Sequence, residues 1–277
     1  MLIIVGRNGF LGSNLAHYLE SIGSEFVSLK RDQSLEGPKD FEIDTVFWLA
    51  SSVTPISAQS SPELAELDLH DFSKFVTSLK LLAPNVRIVL ASSGGAVYAD
   101  GRPPFTEFDS VASPHAYAKL KIEMENILIE SGLSHVILRI ANAYGPGQLT
   151  GRGQGVLAEW ITALRLGDKP QLFGSMEVVR DFVHVDDVVQ ALWLAGRVKD
   201  FSGVVNIGSG EPVSLKDCLT LLSQISHQDI EITRVASRPV DRARVYLSIE
   251  RAASVLNWTP KISLEQGLRT WWNTWEQ

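Results

Sequence analysis

Tyr117 and Lys121 are the pair of side chains whose chemistry the sequence suggests most clearly. They stand four residues apart in the segment SPHAYAKLKIEME, and residues at that spacing share one face of a helix. A free tyrosine has a pKa of about 10, which a neighbouring ammonium group lowers because it favours the phenolate. The pair therefore predicts a proton-transfer couple near neutral pH. The alternative is an amphipathic helix on which Tyr117 packs and Lys121 extends to solvent.

A glycine-spaced turn near the start of the chain is the second candidate site. Gly6, Gly9 and Gly12 follow the apolar run at 2–5, and a helical apolar pattern covers 10–22. Glycines let the backbone approach a pyrophosphate, and a helix N-terminus offers free N–H groups and a positive dipole end. The spacing differs from G-x-G-x-x-G, so this motif is only moderately specific. Together with the Tyr117–Lys121 pair it indicates an oxidoreductase-type site that holds a dinucleotide.

Composition and charge exclude several classes of protein. The 277 residues are 45% hydrophobic, and the formal net charge of -7 argues against a nucleic-acid partner, which would need a basic surface. No secretory leader precedes the first strand, and no apolar run approaches 18 residues, so we expect no membrane attachment and a cytoplasmic location. The single cysteine, Cys218, rules out an intrachain disulfide.

Strand and helix patterns alternate along the chain, which predicts a doubly wound parallel sheet of the α/β class. Strands are predicted near 2–5, 25–29, 45–49, 86–91, 135–140 and 203–207. Helices are predicted near 10–22, 62–82, 115–131, 155–166, 186–197, 214–225 and 262–275. Ligands bind outside the carboxyl ends of strands in such sheets. The segments 48–52, 90–98 and 138–148 are therefore expected to border the site.

The ordered motifs of the chain resemble those of the extended short-chain dehydrogenases/reductases of the NAD-dependent epimerase/dehydratase family. The resemblance spans nearly the whole chain and, besides the two features above, includes RDFVHVDDV at 180–188, NIGSG at 206–210, RPVD at 238–241 and LNWTP at 256–260. It implies a nucleotide-diphosphate sugar as substrate. We expect a Rossmann-type cofactor domain over 1–146, to which 176–207 returns, and a sugar-nucleotide-binding domain over 147–277.

The resemblance also implies roles for individual residues and for two helices. Tyr117 would be the acid and base of the reaction, and Lys121 would also bond the nicotinamide ribose. The implied cofactor-binding positions are Gly6, Gly9, Phe10 and Gly12 at the pyrophosphate, and Leu49, Ala50, Ser51 and Ala91 elsewhere. The implied substrate-binding positions are Asn142, Arg180 and Arg238 on the diphosphate, with Gln154, Gly155 and Val156 in the segment that wraps it. The helices near 62–82 and 115–131 resemble those that pair the subunits of a homodimer.

One position departs from the family pattern at the catalytic strand. The family usually has a Ser or Thr where this chain has Gly94, and that hydroxyl polarises the sugar oxygen. Either Ser92 or Ser93 could replace it, and we predict Ser93. Family dehydratases carry an Asp-Glu pair directly after the hydroxyl, whereas this chain has Gly95 and Ala96, so dehydration is disfavoured.

The residues after the second predicted strand bear on the choice of cofactor. NAD-binding relatives usually place an acidic residue there, whereas a 2′-phosphate requires cations. This chain offers Lys30 and Arg31, and Arg7 in the glycine turn adds a third cation. We therefore predict NADP, with NAD as the alternative, since Asp32 could still reach the ribose.

The sequence leaves three hypotheses for the function and predicts that there is no metal site. The first function is a sugar-nucleotide epimerase that works through a 4-keto intermediate. The second is an NADPH-dependent reductase of a 4-keto sugar nucleotide, and the third is a non-catalytic dinucleotide-binding sensor or scaffold. His184 with Asp186 and Asp187 suits a helix N-terminus better than a metal site, so we predict no metal.

Overall fold

The computed structural model describes residues 1–33, 42–151, 153–236 and 242–274. Its strands are β1 (Leu2–Val5), β2 (Phe26–Leu29), β3 (Thr45–Trp48), β4 (Arg87–Ser93), β5 (Ser134–Ile140), β6 (Asn142–Tyr144), β7 (Gln171–Phe173), β8 (Val179–His184), β9 (Gly203–Ile207), β10 (Pro212–Ser214), β11 (Thr233–Val235) and β12 (Arg244–Val245). Its helices are α1 (Phe10–Ser21), α2 (Ser57–Ser60), α3 (Pro62–Leu82), α4 (Ala116–Ser131), α5 (Val156–Leu166), α6 (Val185–Arg197), α7 (Leu215–Ser226), α8 (Glu250–Leu256) and α9 (Leu264–Asn273).

The main sheet has six parallel strands in the order β2-β1-β3-β4-β5-β9. Successive side chains of a strand point to opposite faces, so Ile4 packs with α1 and α6 whereas Ile3 and Val5 pack with α3 and α4. Both faces are covered, which is why the strands are continuous apolar runs. The predicted α/β class with a doubly wound parallel sheet is confirmed.

A smaller layer of short strands and helices follows the main sheet along the chain. Strand β8 pairs with β6, β10 and β12, while β7 pairs with β11. The core of this part contains Trp160, Leu222, Leu268 and Trp271 from α5, α7 and α9. The strand β9 nevertheless lies at the edge of the main sheet beside β5. The chain therefore returns to the main sheet after it has begun the smaller layer.

Two buried aspartates join the later segments of the chain. The Asp181 carboxylate accepts hydrogen bonds from the Ser209 backbone N–H at 2.6 Å and hydroxyl at 2.7 Å, and from the Leu247 N–H at 3.3 Å. The Asp187 carboxylate accepts from the backbone N–H groups of Lys261 at 3.1 Å and Ile262 at 3.0 Å. Burial raises the pKa of Asp181, whereas its hydrogen bonds act in the opposite direction. Asp181 and Asp187, which both belong to the RDFVHVDDV motif, thus bond groups of the protein itself.

The predicted strands of the main sheet and the predicted helices that cover it are confirmed. Their predicted ends lie within two residues of the observed ends. Sequence periodicity missed the strands of two to six residues in the smaller layer and the short helices α2 and α8. Such short segments carry too few apolar positions to establish a period. Among the described helices, none combines the length and the apolar character that crossing a membrane requires.

Candidate active site

Two adjoining cavities form a groove, and the first of them lies at the carboxyl ends of the parallel strands. The first has a volume of about 360 Å³, and the second has about 760 Å³. The predicted site residues that line the first are Gly9, Phe10, Leu49, Ser51, Ala91, Ser93, Tyr117, Lys121, Asn142, Gln154, Gly155 and Val156. Those that line the second are Asn142, Gln154, Gly155, Val156 and Arg180. The shared lining residues make the cavities two ends of one groove.

The glycine turn brings three backbone segments into close contact. Gly6 has a φ of +93°, and a Cβ added there would lie 2.7 Å from the Ala50 backbone nitrogen. A Cβ at Gly12 would lie 2.1 Å from the Gly6 carbonyl oxygen. Helix α1 follows with Gly9 as its N-cap, and no side chain caps its first N–H groups. The turn therefore has the shape and the donors that a pyrophosphate requires.

Tyr117 lies in the first turn of α4, where it meets the end of β4. The Ser93 side chain lines the same cavity as the Tyr117 phenol, and its polar interaction lowers the phenol's pKa. Burial has the larger effect, and together with the charge of Asp68 it raises the pKa of Tyr117 to about 12. The sequence-based expectation of a lowered pKa is therefore wrong for this structure, because loss of solvation outweighs the neighbouring polar groups. Tyr117 is protonated at neutral pH.

Lys121 is 5% exposed and lies beneath the Tyr117 ring. Its Nζ donates a hydrogen bond to the Ala91 carbonyl oxygen at 3.1 Å and stands 5.8 Å from the centre of the Tyr117 ring. Burial lowers the pKa of Lys121 to about 8, while the carboxylates of Asp68 and Glu125 act in the opposite direction. The ammonium form consequently predominates at pH 7, which the role expected for Lys121 requires.

The neighbouring serines of β4 have different partners. The Ser92 hydroxyl donates to the Glu125 carboxylate, which also accepts from Arg139, with 2.7 Å between Arg139 Nη2 and Glu125 Oε2. Glu125 and Arg139 are both buried. Adjacent residues of a strand point to opposite sides, so Ser93 is the one directed at Tyr117. Ser92 instead belongs to the ion pair that joins α4 to β5.

Gly94 has no room for the hydroxyl that the family usually carries at this position. A Cβ added to Gly94 would lie 2.5 Å from Leu247 Cδ1 and 2.9 Å from the Arg139 carbonyl oxygen. The Gly94 N–H also donates to the Ile140 carbonyl oxygen at 2.8 Å, which holds the backbone against β5. The departure at this position thus has a packing reason.

Two of the three cations assigned to the cofactor phosphate are ion-paired within the protein. Arg31 Nε donates to Asp71 Oδ2 at 2.7 Å, and Arg31 Nη1 bonds the Asp68 carboxylate. Arg7 Nη2 lies 3.2 Å from Glu20 Oε1. Lys30 is exposed and forms no side-chain ion pair within the described ranges. Gly6, Arg7, Gly12, Lys30, Arg31 and Ala50 do not line either cavity.

The substrate-binding predictions fall on the second half of the groove. Asn142 Nδ2 donates to the Asp181 carbonyl oxygen at 3.1 Å, and Arg180 Nη1 donates to the Arg242 carbonyl oxygen at 2.7 Å. Gly155, with a φ of +82°, is the N-cap of α5. Arg238 lies outside the described residues. The structure therefore brings Arg180 and the 154–156 segment to one cavity wall.

His184, which raised the question of a metal, has a structural position. It is the N-cap of α6, and its Nδ1 accepts from the Asp186 N–H at 3.3 Å. Burial lowers the pKa of His184. In the part of the chain that the structure describes, no group of three or more His, Cys, Asp or Glu residues is arranged to hold a metal ion.

Asp68 and Glu125 are the charged residues near the site that the sequence analysis did not identify. Both lie on buried helix faces, with exposures of 2% each. Asp68 occupies the apolar face of α3 with Ala65 and Phe72, and Glu125 follows Lys121 by four residues on α4. A carboxylate on an apolar helix face is the sequence signal that could have revealed them.

Comparison with known proteins places the chain among enzymes of sugar nucleotides. Residues 2–208 match the family model of the NAD dependent epimerase/dehydratase family. The chain is 29% identical to a UDP-glucose 4-epimerase of Mycolicibacterium smegmatis over 96% of this chain and 95% of the relative. It is also 29% identical to a dTDP-4-dehydro-6-deoxyglucose reductase of Escherichia coli, over 82% and 73% of the two chains.

Solved structures give the same result for the fold. The UDP-glucose 4-epimerase of Thermotoga maritima, solved with UDP-glucose, superposes with a TM-score of 0.87 at 27% identity, covering 98% of this chain and 97% of that one. MoeE5, solved in complex with UDP-glucose and NAD, superposes with a TM-score of 0.86 at 26% identity over the same shares. The resemblance found in the sequence motifs is therefore confirmed.

A serine introduced at position 94 should destabilise the protein and leave the site no more active. We expect Gly94→Ser to lower the free energy of unfolding by about 1–3 kcal/mol, because its Cβ would overlap Leu247 and a backbone carbonyl. Urea denaturation measures this change. Gly95→Ser is the matched control, since a Cβ at Gly95 meets nothing within 4 Å. Equal stability of the two variants would contradict the packing explanation.

Proposed function

This chain belongs to the NAD dependent epimerase/dehydratase family, and we propose that it is an NAD(P)-dependent sugar-nucleotide epimerase that acts through a transient 4-keto intermediate. The observation that carries the proposal is the shape of one continuous groove. Ser93, Tyr117 and Lys121 lie at one end of it, and Arg180 lies at the other. A proton-transfer group and a cation for phosphate are thus available to the two parts of one elongated ligand.

We assign the dinucleotide to the first cavity and to the glycine turn beside it. When bound, its nicotinamide ring supplies a hydride acceptor and donor. The turn from Gly6 to Gly12 would hold the pyrophosphate, since no side chain caps the N–H groups at the start of α1. Leu49, Ser51 and Ala91 border the same cavity and would flank the cofactor. The Lys121 ammonium would bond ribose hydroxyls from the floor of the site.

Proton transfer is the part of the reaction that the protein's own side chains perform. We assign the phenolate form of Tyr117 to take the proton of the sugar C4 hydroxyl and to return it after the ketone has rotated. The Ser93 hydroxyl would bond the same sugar oxygen and the phenol together. Because burial raises the pKa of Tyr117, the phenolate needs the nearby Lys121 charge during the transfer. Gly95 and Ala96 offer no acid or base for dehydration.

The second cavity is the proposed place of the nucleotide diphosphate. Arg180 and Asn142 line it from β8 and β6, and we assign both to the diphosphate. Gln154, Gly155 and Val156 would wrap it from the start of α5. The sugar would then extend along the groove toward Tyr117. Arg238, the remaining diphosphate residue of the sequence analysis, stays a prediction.

A 4-keto sugar-nucleotide reductase is the second candidate function. Two observations favour it: the reductase named among the relatives, and the protonated state of Tyr117, which suits proton donation. The third hypothesis, a non-catalytic sensor or scaffold, does not account for the convergence of Ser93, Tyr117 and Lys121 in one cavity. We also propose a homodimer paired through α3 and α4, which expose Leu64, Leu67 and Ile129.

Removal of the Tyr117 hydroxyl tests the proposed function. We expect Tyr117→Phe to lower kcat by about 10²–10⁴-fold with UDP-glucose or another accepted sugar nucleotide, because the proton-transfer group is lost. Ser93→Ala should lower kcat by about 10²-fold through loss of a hydroxyl donor. Full turnover in Tyr117→Phe would refute the assignment.

Ser92→Ala is the matched control for Ser93→Ala. It removes a hydroxyl that bonds Glu125, so its main effect should be a loss of about 2 kcal/mol in the free energy of unfolding. Its kcat should fall far less than that of Ser93→Ala. If the two variants exchanged these effects, Ser92 would be the catalytic hydroxyl.

The nucleotide that leaves the denatured protein distinguishes the epimerase from the reductase. An epimerase returns the hydride to its own substrate, so we expect purified protein to release dinucleotide in a ratio near one to one, detected by mass spectrometry. An empty protein that consumes NADPH stoichiometrically with a 4-keto sugar nucleotide would establish the reductase instead. Absence of both activities would remove the two proposals together.

The NADP preference is a proposal that depends on Lys30, because Arg31 and Arg7 are ion-paired. We expect Lys30→Ala to weaken NADPH binding by about tenfold and NADH binding by much less, as measured by calorimetry. Arg31→Ala should weaken both cofactors alike, since it disrupts the pairs with Asp68 and Asp71. Lys80→Ala, at an exposed position of α3, is the control. Equal effects of Lys30→Ala on both cofactors would show that Lys30 is misassigned as the residue that selects NADP.

A further inference from the structure

We infer that Asp68 is a positioning residue that joins the loop after β3, the Arg31 guanidinium and the Tyr117–Lys121 couple into one unit. The inference deepens the proposed function and rests on it for the meaning of the couple. Asp68 lies on α3, outside every motif that indicated the family. Its hydrogen-bond partners come from two separate segments of the chain, Arg31 after β2 and Ser51 with Ser52 after β3.

The Asp68 carboxylate is buried, and both of its oxygens accept hydrogen bonds. Its Oδ2 accepts a hydrogen bond from the Ser52 backbone N–H at 2.6 Å and from the Ser51 hydroxyl at 3.2 Å. Its Oδ1 bonds the Arg31 guanidinium. A buried carboxylate is stable only when it has such hydrogen-bond donors. The same charge-assisted hydrogen bonds fix the positions of the donor groups. Asp68 therefore determines the position of residues 51 and 52.

Residues 51 and 52 form part of the wall of the first cavity. They follow β3, whose backbone adjoins the glycine turn through the contact of Gly6 with Ala50. The loop lacks regular secondary structure, so side-chain bonds must hold it. Through this loop Asp68 acts on the shape of the cofactor end of the groove, although it does not itself line the cavity.

The charge of Asp68 also reaches the catalytic couple. Helix α3 packs beside α4, and the Asp68 carboxylate raises the pKa values of both Tyr117 and Lys121. The other groups that face the couple are Ser93 and the Ala91 carbonyl on β4 and Glu125 on α4. On β5, Arg139 is paired with Glu125.

Asp71 provides an internal comparison within the same cluster. It bonds the same guanidinium as Asp68, through Arg31 Nε at 2.7 Å, and lies one helical turn further along α3. Its charge does not contribute to the pKa shifts of Tyr117 or Lys121. One guanidinium between two carboxylates leaves a net negative charge, so Arg31 does not cancel the effect of Asp68 on the couple.

Titration of Lys121 tests the electrostatic part of the inference without a substrate. We would follow the lysine side chains by NMR in protein labelled with ¹³C-lysine, and Lys121→Met would assign the signal. In Asp68→Asn the pKa of Lys121 should fall below its wild-type value, which burial sets at about 8, because a stabilising negative charge is lost. Asp71→Asn should leave it unchanged. No shift in Asp68→Asn, or equal shifts in both variants, would overturn the inference.

Dinucleotide binding tests the positioning part. The amide oxygen that Asp68→Asn introduces can still accept the Ser52 N–H, whereas an alanine side chain cannot. We therefore expect Asp68→Ala to weaken NAD(P) binding by about tenfold and Asp68→Asn to weaken it by much less. Thermal unfolding would establish that each variant is folded. Wild-type affinity in a folded Asp68→Ala would refute the role of the loop.

The outcomes separate this inference from the proposed function. If Tyr117→Phe retained full turnover, the proposed chemistry would fail, yet the Lys121 titration and the binding measurement would still report on Asp68. If the Asp68 variants alone behaved as wild type in both measurements, the proposed chemistry would stand and the inference about Asp68 would fail.

Discussion

The buried ion pair between Glu125 and Arg139 is the interaction on which the geometry of the site depends. Arg139 belongs to β5 and Glu125 to α4, and the Ser92 hydroxyl of β4 bonds the same carboxylate. Breaking such a pair by removing one partner typically costs about 3–5 kcal/mol, because a charge is left buried and alone. The pair thus fixes the rotation of α4 on the sheet, and with it the direction in which Tyr117 and Lys121 point.

Local sequence patterns predicted the parts of the structure that depend on local chemistry. Apolar runs and helical periods located the six parallel strands and most of the helices, and the order of the motifs indicated the family. The glycine turn followed from spacing alone, because only a residue without Cβ fits at Gly6 and Gly12. These features are visible in sequence since each depends on residues that are close together in the chain.

Features that depend on tertiary neighbours could not be read from the sequence. The direction of the Tyr117 pKa shift depends on burial, which no helical spacing reveals. Arg31 was assigned to a cofactor phosphate, and only the fold brings Asp68 and Asp71 to its guanidinium. The motif aspartates Asp181 and Asp187 likewise bond backbone groups far along the chain. Each case requires knowledge of which side chain lies opposite.

The late position of β9 has a consequence for how the protein is made. The main sheet is completed by β9, one of its faces is covered by α6, and the core on that face is completed by Trp258. At about 5–20 residues per second, synthesis from the end of β5 to that tryptophan takes roughly ten seconds. During this interval the nascent chain has an unpaired strand edge and an uncovered apolar face. Molecular chaperones and neighbouring nascent chains can bind the unpaired edge and the apolar face. The order of the strands therefore exposes the nascent chain to aggregation while it is on the ribosome.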